Sequence, residues 1–295
     1  MKNILWGFLN PVRHFRAFRY RKMARKGRLA GNEPELDLYA RILKNDMLHW
    51  GYFDNPDIAP DDISIKDFED AQLRYAERIA EHLGPPPEHI LDVGCGMGGL
   101  AGMLSARGYK LELLSPNAQQ KKHIGREYPA LPFHHCTYED FVPAGTFGTI
   151  INSESFQYIK LEKAFEISQH VLAPGGRWII VDYFRLGNGG RNKSGHLLED
   201  FRRMGKESGW KVRHEEDITP HVLPTIRLAS LYVQRFFIPL MDFGFEKFRV
   251  KKPWLYYMLS GIREKAMAKT EKEMAAIDPV KFQEEKKYMF FILER

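Results

Sequence analysis

The chain has 295 residues, 44 Lys plus Arg, 38 Asp plus Glu and a formal net charge of +6. This length suits one large domain or a domain with an added cap, at about 100–200 residues per domain. Apolar types make up 44% and charged types 28%, so disorder of the whole chain is excluded. No apolar run approaches the ~18 residues of a membrane span. Two cysteines cannot build a disulfide framework, and we expect a reduced, cytoplasmic setting.

The excess positive charge belongs to the N-terminal tail. Residues 1–32 contain nine Lys or Arg and no acidic residue. The remaining chain holds 35 basic and 38 acidic residues, a net charge of −3. A nucleic-acid-binding protein carries its basic stripe on the folded body, so we expect no nucleic-acid partner.

The tail has the pattern of a basic amphipathic helix. Val12, Phe15 and Phe18 follow a spacing of three, with arginines between them and Trp6 nearby. Such a helix suits an anionic membrane surface, so we expect residues 1–30 to bind one, at the inner face of the membrane. Three other interpretations stay open: a helix packed on its own domain, a partner-binding helix, and an organelle transit peptide.

Helices are predicted over residues 33–83, interrupted by a proline-containing loop at 55–64. Strands then alternate with helices, which predicts a doubly wound, seven-stranded, mostly parallel α/β sheet. The predicted strands are 89–95, 110–115, 132–138, 148–154, 177–184, 211–217 and 287–293. The predicted helices between them are 99–107, 117–128, 160–172 and 196–208.

Residues 220–278 interrupt this alternation with a helical, aromatic stretch, which we interpret as a cap inserted before the last strand. We expect most of its aromatic side chains to form the core of the cap, and the cap to give the site an apolar wall. The predicted units are a tail at 1–32, a helical segment at 33–84, an α/β core at 85–219, the cap at 220–280 and the last strand at 281–295.

The motif most indicative of function is residues 91–99 (LDVGCGMGG), which leave a strand and open a helix. Glycines at 94, 96 and 98 let the backbone take positive φ and approach a ligand closely. Asp92 lies just before the loop, where it would repel a pyrophosphate but can accept a hydrogen bond from an ammonium group. The pattern therefore disfavours a nicotinamide or flavin cofactor.

Here the sequence resembles class I S-adenosylmethionine-dependent methyltransferases, whose first motif reads much like LDVGCGxG. The resemblance covers about residues 45–185 and is closest to the branch of cyclopropane-fatty-acid synthases and of small-molecule and sterol methyltransferases. Further segments similar to that branch follow in order: 49–54 (HWGYFD), 113–117 (LLSPN), 137–141 (TYEDF), 153–159 (SESFQYI) and 172–184 (LAPGGRWIIVDYF).

The resemblance implies S-adenosylmethionine as cofactor and assigns its contacts. Asp92, Gly94, Cys95 and Gly96 would line the methionine part, and Ser115 with the residues after it the ribose. Tyr138 and Glu139 would contact the adenine. The sulfonium would be covered by three side chains of the N-terminal segment: His49, Trp50 and Tyr52.

The chain departs from the family pattern in two places. Many methyltransferases end the second strand with an acid that holds the ribose hydroxyls, whereas this strand ends Leu114-Ser115-Pro116, so Asn117 or Gln119 must do that work. Cyclopropane synthases carry a glutamate within an F-E-H sequence, where residues 156–158 here read FQY. This second departure argues against cyclopropanation.

Methyl transfer needs a positioned nucleophile, and it needs a base only if a proton must leave. Glu154 follows the fourth strand, where acceptor and methyl group would meet, and is our first candidate for base or substrate anchor. Further candidates are Tyr39, His49, Tyr158 and Tyr183. His and Cys show no ligand-like spacing, so no metal site is expected.

The acceptor is predicted less directly. The aromatic cap, the basic tail and the likeness to lipid-modifying enzymes favour a hydrophobic small molecule: a fatty acyl chain, an isoprenoid, a sterol-like compound or a lipid head group. A small soluble amine or hydroxyl compound is the alternative acceptor. A non-catalytic protein with this fold that binds membranes or partners is the alternative from another class.

Overall fold

The computed structural model describes residues 45–189, 194–261 and 277–295, with the single positions 12, 15, 263, 264, 267, 268 and 270. Most of the basic tail, the predicted helix before residue 45 and the candidate Tyr39 lie outside the described residues.

The described strands form one seven-stranded sheet in the order β3-β2-β1-β4-β5-β7-β6. All neighbours pair in parallel except β7, which is antiparallel to both β5 and β6. The doubly wound, mostly parallel sheet is thus confirmed. The strands are β1 His89–Val93, β2 Lys110–Leu114, β3 Phe133–His134, β4 Phe147–Ser153, β5 Leu172–Arg185, β6 Lys211–Asp217 and β7 Lys286–Glu294.

The central strands are apolar on both faces because helices cover both sides of the sheet. Ile179, Ile180 and Val181 of β5 are all buried, although successive side chains point to opposite faces. The described helices are α1 Ile65–Ala80, α2 Gly99–Ala106, α3 Ala118–Glu127, α4 Leu161–Val171, α5 Leu198–Glu207, α6 Thr219–Tyr232, α7 Ile238–Lys251, α8 Pro253–Met258 and α9 Pro279–Glu285.

Several predicted element boundaries are wrong. Residues 45–54, the described part of the first predicted helix, are not helical. The third strand is far shorter than 132–138, because β3 pairs only with Leu113 and Leu114 of β2 at the sheet edge. Its predicted end turns instead into a 3₁₀ turn at Tyr138–Asp140. Helix α4 ends at Val171, and Leu172 already belongs to β5 because it pairs with Phe147.

The predicted cap divides into two parts that differ in burial. Helix α6 packs into the main core through Val222, Leu223 and Ile226, whereas α7 and α8 have no buried residue. The expectation that the aromatic side chains form a core of the cap is therefore wrong. Six of them are exposed and three are half-buried: Tyr232, Phe236, Phe237, Phe243, Trp254 and Tyr257, then Phe245, Phe248 and Tyr256. None of the described helices is long and apolar enough to cross a bilayer.

Candidate functional site

The strand order reverses between β1 and β4, where an open parallel sheet forms a crevice beyond its carboxyl ends. A cleft of about 560 Å³ opens at this place. Its wall is built from residues 46–49, the glycine loop after β1, the end of β2, the start of α3, the turn at Tyr138 and residues 153–159. Among the described residues, no part of the predicted cap contributes to this wall, so the expected apolar wall from the cap is absent from this cleft.

The glycine loop lies directly under the cleft. Gly94 and Gly96 have φ of +79° and +57°, in the left-handed region that favours glycine. A Cβ on Gly94 would lie 2.3 Å from the Cβ of Ser155, and the Ser155 hydroxyl donates to the Val93 carbonyl at 2.5 Å. Only glycine therefore fits at position 94, and the bare backbone can come close to a ligand.

Asp92 lines the cleft and is nearly fully buried, with 2% exposure. Its Oδ2 has no hydrogen-bond partner among the described residues. Burial raises the pKa of Asp92 to about 7. A buried carboxylate oxygen without a partner is costly, and a ligand ammonium group would supply the missing donor. This orphaned oxygen beside a glycine-built cradle fits the methionine end of S-adenosylmethionine.

The next part of the wall has side chains that can bind hydroxyl groups. The Ser115 hydroxyl donates to Oε1 of Gln120 at 2.5 Å. Asn117 caps α3, since its Oδ1 accepts from the amides of Gln119 and Gln120 at 2.8 and 3.1 Å. Gln120 lines the cleft and Gln119 does not, so the predicted ribose contact of Gln119 has no support from its placement. Asn117 is the N-cap residue at which α3 begins, and this starting point places Gln120 on the side of the helix that faces the cleft.

Tyr138 and Glu139 also line the cleft, at the end where the resemblance puts adenine. Tyr138 is 2% exposed and its hydroxyl shares a 2.9 Å hydrogen bond with Ser168. Burial raises the pKa of Tyr138, so this phenol stays neutral. Glu139 accepts a hydrogen bond from the Lys160 amide at 3.1 Å. Their adenine contacts remain predictions.

Glu154 lines the cleft directly after β4 and has the unusual backbone φ of +52°. A non-glycine residue in this region is strained. Its Oε1 accepts two hydrogen bonds of 2.6 Å, from the Trp50 amide and from the Tyr288 hydroxyl. Burial nevertheless raises the pKa of Glu154 to about 8, with nearby Asp182 adding to the rise. The carboxyl group can therefore take up or release a proton near neutral pH.

Two tyrosines and a histidine surround this carboxyl group. The hydroxyl groups of Tyr288 and Tyr75 lie 3.1 Å apart, and the Tyr75 ring stacks on His49 with ring centroids 4.2 Å apart. His49 lines the cleft, and its Nδ1 lies 2.9 Å from the Trp50 carbonyl. Burial lowers the pKa of His49 to about 4, so the ring is neutral at physiological pH.

Of three further predicted site residues, Tyr158 lines the cleft as expected, whereas Tyr52 and Trp50 do not. Tyr158 lines the cleft with 78% exposure. Tyr52 stacks on His221 with centroids 4.4 Å apart and does not line the cleft, so the expected contact with the sulfonium is not supported. The Trp50 ring also lies outside the wall of the cleft and packs on Phe282 and Tyr288. Trp50 contacts Glu154 through its backbone amide only.

Tyr183 likewise lies outside the cleft. Its hydroxyl binds the side chains of Gln157 and Ser194, and the Lys286 amine lies 4.1 Å from its ring centroid. This arrangement gives the ring a structural role beside the cleft, and a direct part in the chemistry has no support from its placement.

Asp46 and Asp182 belong to the site or its support and were not predicted from the sequence. Asp46 lines the cleft and accepts a hydrogen bond from Tyr128 at 2.9 Å, although its segment has no regular periodicity that would have marked it. Asp182 is fully buried within β5 and accepts from the amides of Gln157 and Tyr183. A lone acid within the apolar run of 177–184 was the available signal. The described residues contain no group of three or more His, Cys, Asp or Glu that could hold a metal ion.

Comparisons with known proteins agree with this geometry. The family model described as a methyltransferase domain matches residues 68–224. Over 148 residues the chain is 25% identical to 2-methyl-6-phytyl-1,4-hydroquinone methyltransferase of Synechocystis sp., covering 47% of this chain and 45% of that protein. Over 118 residues it is 33% identical to geranyl diphosphate 2-C-methyltransferase of Saccharopolyspora erythraea, covering 36% of this chain and 41% of that protein.

A solved structure has the same fold. It is the geranyl diphosphate C-methyltransferase of Streptomyces coelicolor, in complex with Mg²⁺, geranyl-S-thiolodiphosphate and S-adenosyl-L-homocysteine. It aligns with a TM-score of 0.60 at 17% identity, over 84% of this chain and 87% of that chain. The chain spans about half the length of the curated relatives it matches. Because the family model covers more than half of the sequence, the chain belongs to the methyltransferase domain family, whose cofactor is S-adenosylmethionine.

Proposed function

We propose that the protein is an S-adenosylmethionine-dependent methyltransferase that acts on a hydrophobic, isoprenoid-like or lipid-like small molecule. The observation that carries the proposal is the presence of two carboxyl groups in one cleft. Asp92 is buried at the glycine loop and has an oxygen without a partner among the described residues, and Glu154 is half-buried with a pKa of about 8. The first suits the cofactor and the second suits an acceptor that must lose a proton.

S-adenosylmethionine supplies a methyl group activated by the positive charge of its sulfur. Asp92 would accept hydrogen bonds from the ammonium group, and the backbone at Gly94 and Gly96 would allow close approach. Glu154 would receive the proton of the acceptor nucleophile as the bond from that nucleophile to the methyl carbon forms and the bond from this carbon to sulfur breaks, which releases S-adenosylhomocysteine. The Trp50 amide and the Tyr288 hydroxyl hold Oε1 of Glu154, which leaves Oε2 for the acceptor and reduces reorganisation during proton transfer.

The acceptor class follows from the surroundings of Glu154 and from the relatives. Besides His49, the cleft that contains Glu154 is lined by the apolar side chains of Met47, Leu48 and Ile159 and by the Tyr158 ring. Such a lining favours an apolar or aromatic acceptor. The relatives named above methylate, by their names, a phytyl hydroquinone and geranyl diphosphate. We therefore place an isoprenoid-bearing compound ahead of a soluble amine.

The test is transfer of an isotope-labelled methyl group from S-adenosylmethionine to a total lipid extract and, separately, to a pool of soluble amines and hydroxyl compounds. We expect the label in the lipid fraction, and mass spectrometry then names the acceptor. Label in the soluble pool alone would overturn the acceptor class. Cofactor binding by calorimetry with no label in either fraction would favour the non-catalytic alternative.

We also propose that residues 1–30 hold the enzyme at an anionic membrane surface facing the cytoplasm. The support is the charge of the tail and its apolar spacing. Val12 and Phe15, the two described positions of this segment, are helical with side chains 58% and 66% exposed. A membrane location would bring the enzyme to a hydrophobic acceptor.

A further inference from the structure

Helices α7 and α8, with the turn of helix before α7, expose several large apolar side chains that do not line the cleft described above. We call the surface that they form the α7–α8 surface and define it by these side chains. Their exposures range from 51% at Phe236 to 71% at Val250. Patches of this kind on a soluble protein indicate an interaction site. The surface consists of Phe236, Leu240, Phe243, Val250, Trp254, Tyr257 and Met258.

The spacing puts these side chains on one face of each helix. Phe236, Leu240 and Phe243 follow each other at four and three residues, and Val250 lies seven residues after Phe243, so all four lie along one side of the helical segment. Trp254, Tyr257 and Met258 have the same three- and four-residue spacing on α8. No residue of either helix is fully buried, although Phe243 also lines a pocket with Phe245 of α7 and Tyr256 of α8.

Basic side chains flank the apolar ones. Residues 238–258 contain four Lys or Arg against Asp242 and Glu246. The amine of Lys247 lies 5.5 Å from the Phe243 ring centroid, so a charged group and an apolar group share one face. Lys251 and Lys252 are exposed at the junction of the two helices, close to Trp254 in sequence. Asp242 and Glu246 lie in one pocket with Phe243, so the charge around the surface is mixed, and four basic minus two acidic residues leave a net charge of +2 over residues 238–258.

This charge discriminates between the groups that could cover the surface. The basic tail of the same chain carries nine positive charges in residues 1–32 and would be repelled, and a second copy would bring an equally positive surface. An anionic bilayer attracts Lys and Arg while its interior accepts Phe, Leu and Met. Trp and Tyr also favour the boundary between headgroups and acyl chains.

We propose that the α7–α8 surface docks on an anionic lipid bilayer, as a second membrane contact independent of the tail. It inserts Phe243 and Trp254 at the level of the headgroups and upper acyl chains, and sets Lys247, Lys251 and Lys252 against the anionic headgroups. This inference depends neither on methyl transfer nor on the identity of the acceptor.

The first test is sedimentation of the full-length chain with phosphatidylcholine vesicles and with vesicles that also contain phosphatidylglycerol. We expect binding to the anionic vesicles, weakened about tenfold or more by Phe243→Ser with Trp254→Ser because two large side chains lose their burial. Val142→Ser is the matched control, since Val142 is 88% exposed on a distant loop, and should bind as the parent does. Unchanged binding of the double variant would overturn the proposal.

The second test removes the tryptophan of the tail from the fluorescence signal, so that quenching reports on the remaining tryptophans. In a full-length chain with Trp6→Phe, we expect vesicles of acyl-brominated phosphatidylglycerol to quench Trp fluorescence. The further change Trp254→Phe, which conserves an aromatic side chain, should abolish that quenching. Quenching that persists without Trp254 would overturn the proposal. So would a double serine variant that changes the molar mass in light scattering but keeps its vesicle affinity, since the surface would then join two copies.

Discussion

Two acidic residues of the cleft have raised pKa values for the same reason, burial, but different surroundings give them different uses. Asp92 has an oxygen without a partner among the described residues, so its environment is completed only by a ligand. Glu154 has donors on Oε1 and a strained backbone that points the carboxyl group into the cleft. Buried acids with perturbed pKa values mark functional sites.

For Glu154 we predict a pH dependence. The carboxylate must be ionised to accept a proton, so kcat/KM should rise with pH through about 8, the pKa of the buried group. Glu154→Gln should lower the rate by about 10²–10⁴-fold, the usual contribution of a general base. The measurement is the pH profile of labelled methyl transfer. A variant with the parent's rate would remove Glu154 from the proton transfer.

We predict that Asp92→Asn raises the stability of the cofactor-free protein at high pH, relative to the parent, and weakens cofactor binding. The carboxyl group ionises at an ordinary value of 3.8 in the unfolded chain and at about 7 in the folded protein. The folded state binds more protons between these values, so the free energy of unfolding falls as pH rises across them. A side-chain amide cannot ionise in this range, so Asp92→Asn should avoid that loss.

Thermal melts without cofactor check this prediction. The melting temperature of Asp92→Asn relative to the parent should rise from pH 5 to pH 8. Calorimetry at pH 8 should show weaker S-adenosylmethionine binding by the variant, because the ammonium group loses its charged acceptor. A variant that binds the cofactor as tightly as the parent would refute the assignment of Asp92.

At the scale of elements, the glycine loop joins β1 to α2 and forms the floor of the cleft. Gly94→Ala should abolish cofactor binding and lower stability, because its Cβ would clash with Ser155 and its φ is positive. Gly125→Ala within α3 is the control. Its Cβ would meet no atom within 4 Å, and Ala is favoured over Gly in a helix by about 1 kcal/mol. Calorimetry and thermal melts of both variants separate the loop from a general glycine effect.

The division of the predicted cap also has a consequence for stability. Ile226 of α6 is 3% exposed in the main core, whereas Val250 of α7 is 71% exposed. Ile226→Ala should lower the free energy of unfolding by about 2–5 kcal/mol. Val250→Ala should change it by less than about 0.5 kcal/mol. Urea unfolding of the two variants measures the contrast, and equal losses would mean that α7 is packed.

At the scale of the whole molecule, charge and apolar surface are both unevenly distributed. The body beyond residue 32 carries a net charge of −3, while the tail carries +9. Deleting residues 1–30 should therefore weaken partition onto anionic vesicles and make the remaining binding less sensitive to salt. Sedimentation at low and high ionic strength is the measurement. Partition that stays unchanged after the deletion would refute a membrane role of the tail.

The alternation of strands and helices was predictable because each buried strand is an apolar run and each helix has stop signals. The 177–184 run and the Pro-Gly-Gly before it are examples. The glycine loop at the cleft was predictable because glycines and Asp92 lie at one strand end. The sequence did not show which of Gln119 and Gln120 faces the cleft, because that depends on the exact residue at which α3 begins, the N-cap Asn117. The bonds from Trp50 and Tyr288 to Glu154 join residues 104 and 134 positions apart, and no local pattern predicts such contacts.

The sequence by itself determined the fold class, the glycine loop with Asp92, the importance of Glu154 as a candidate and the basic tail, because each depends on short-range pattern. Only the tertiary structure decided which side chains face the cleft and which face water. The rings of Tyr52 and Trp50 do not line the cleft, because they pack on His221 and Phe282 respectively. The aromatic side chains of the predicted cap were expected to form a core, but most of them are exposed. Composition shows only that apolar residues are present, whereas their burial depends on what packs against them.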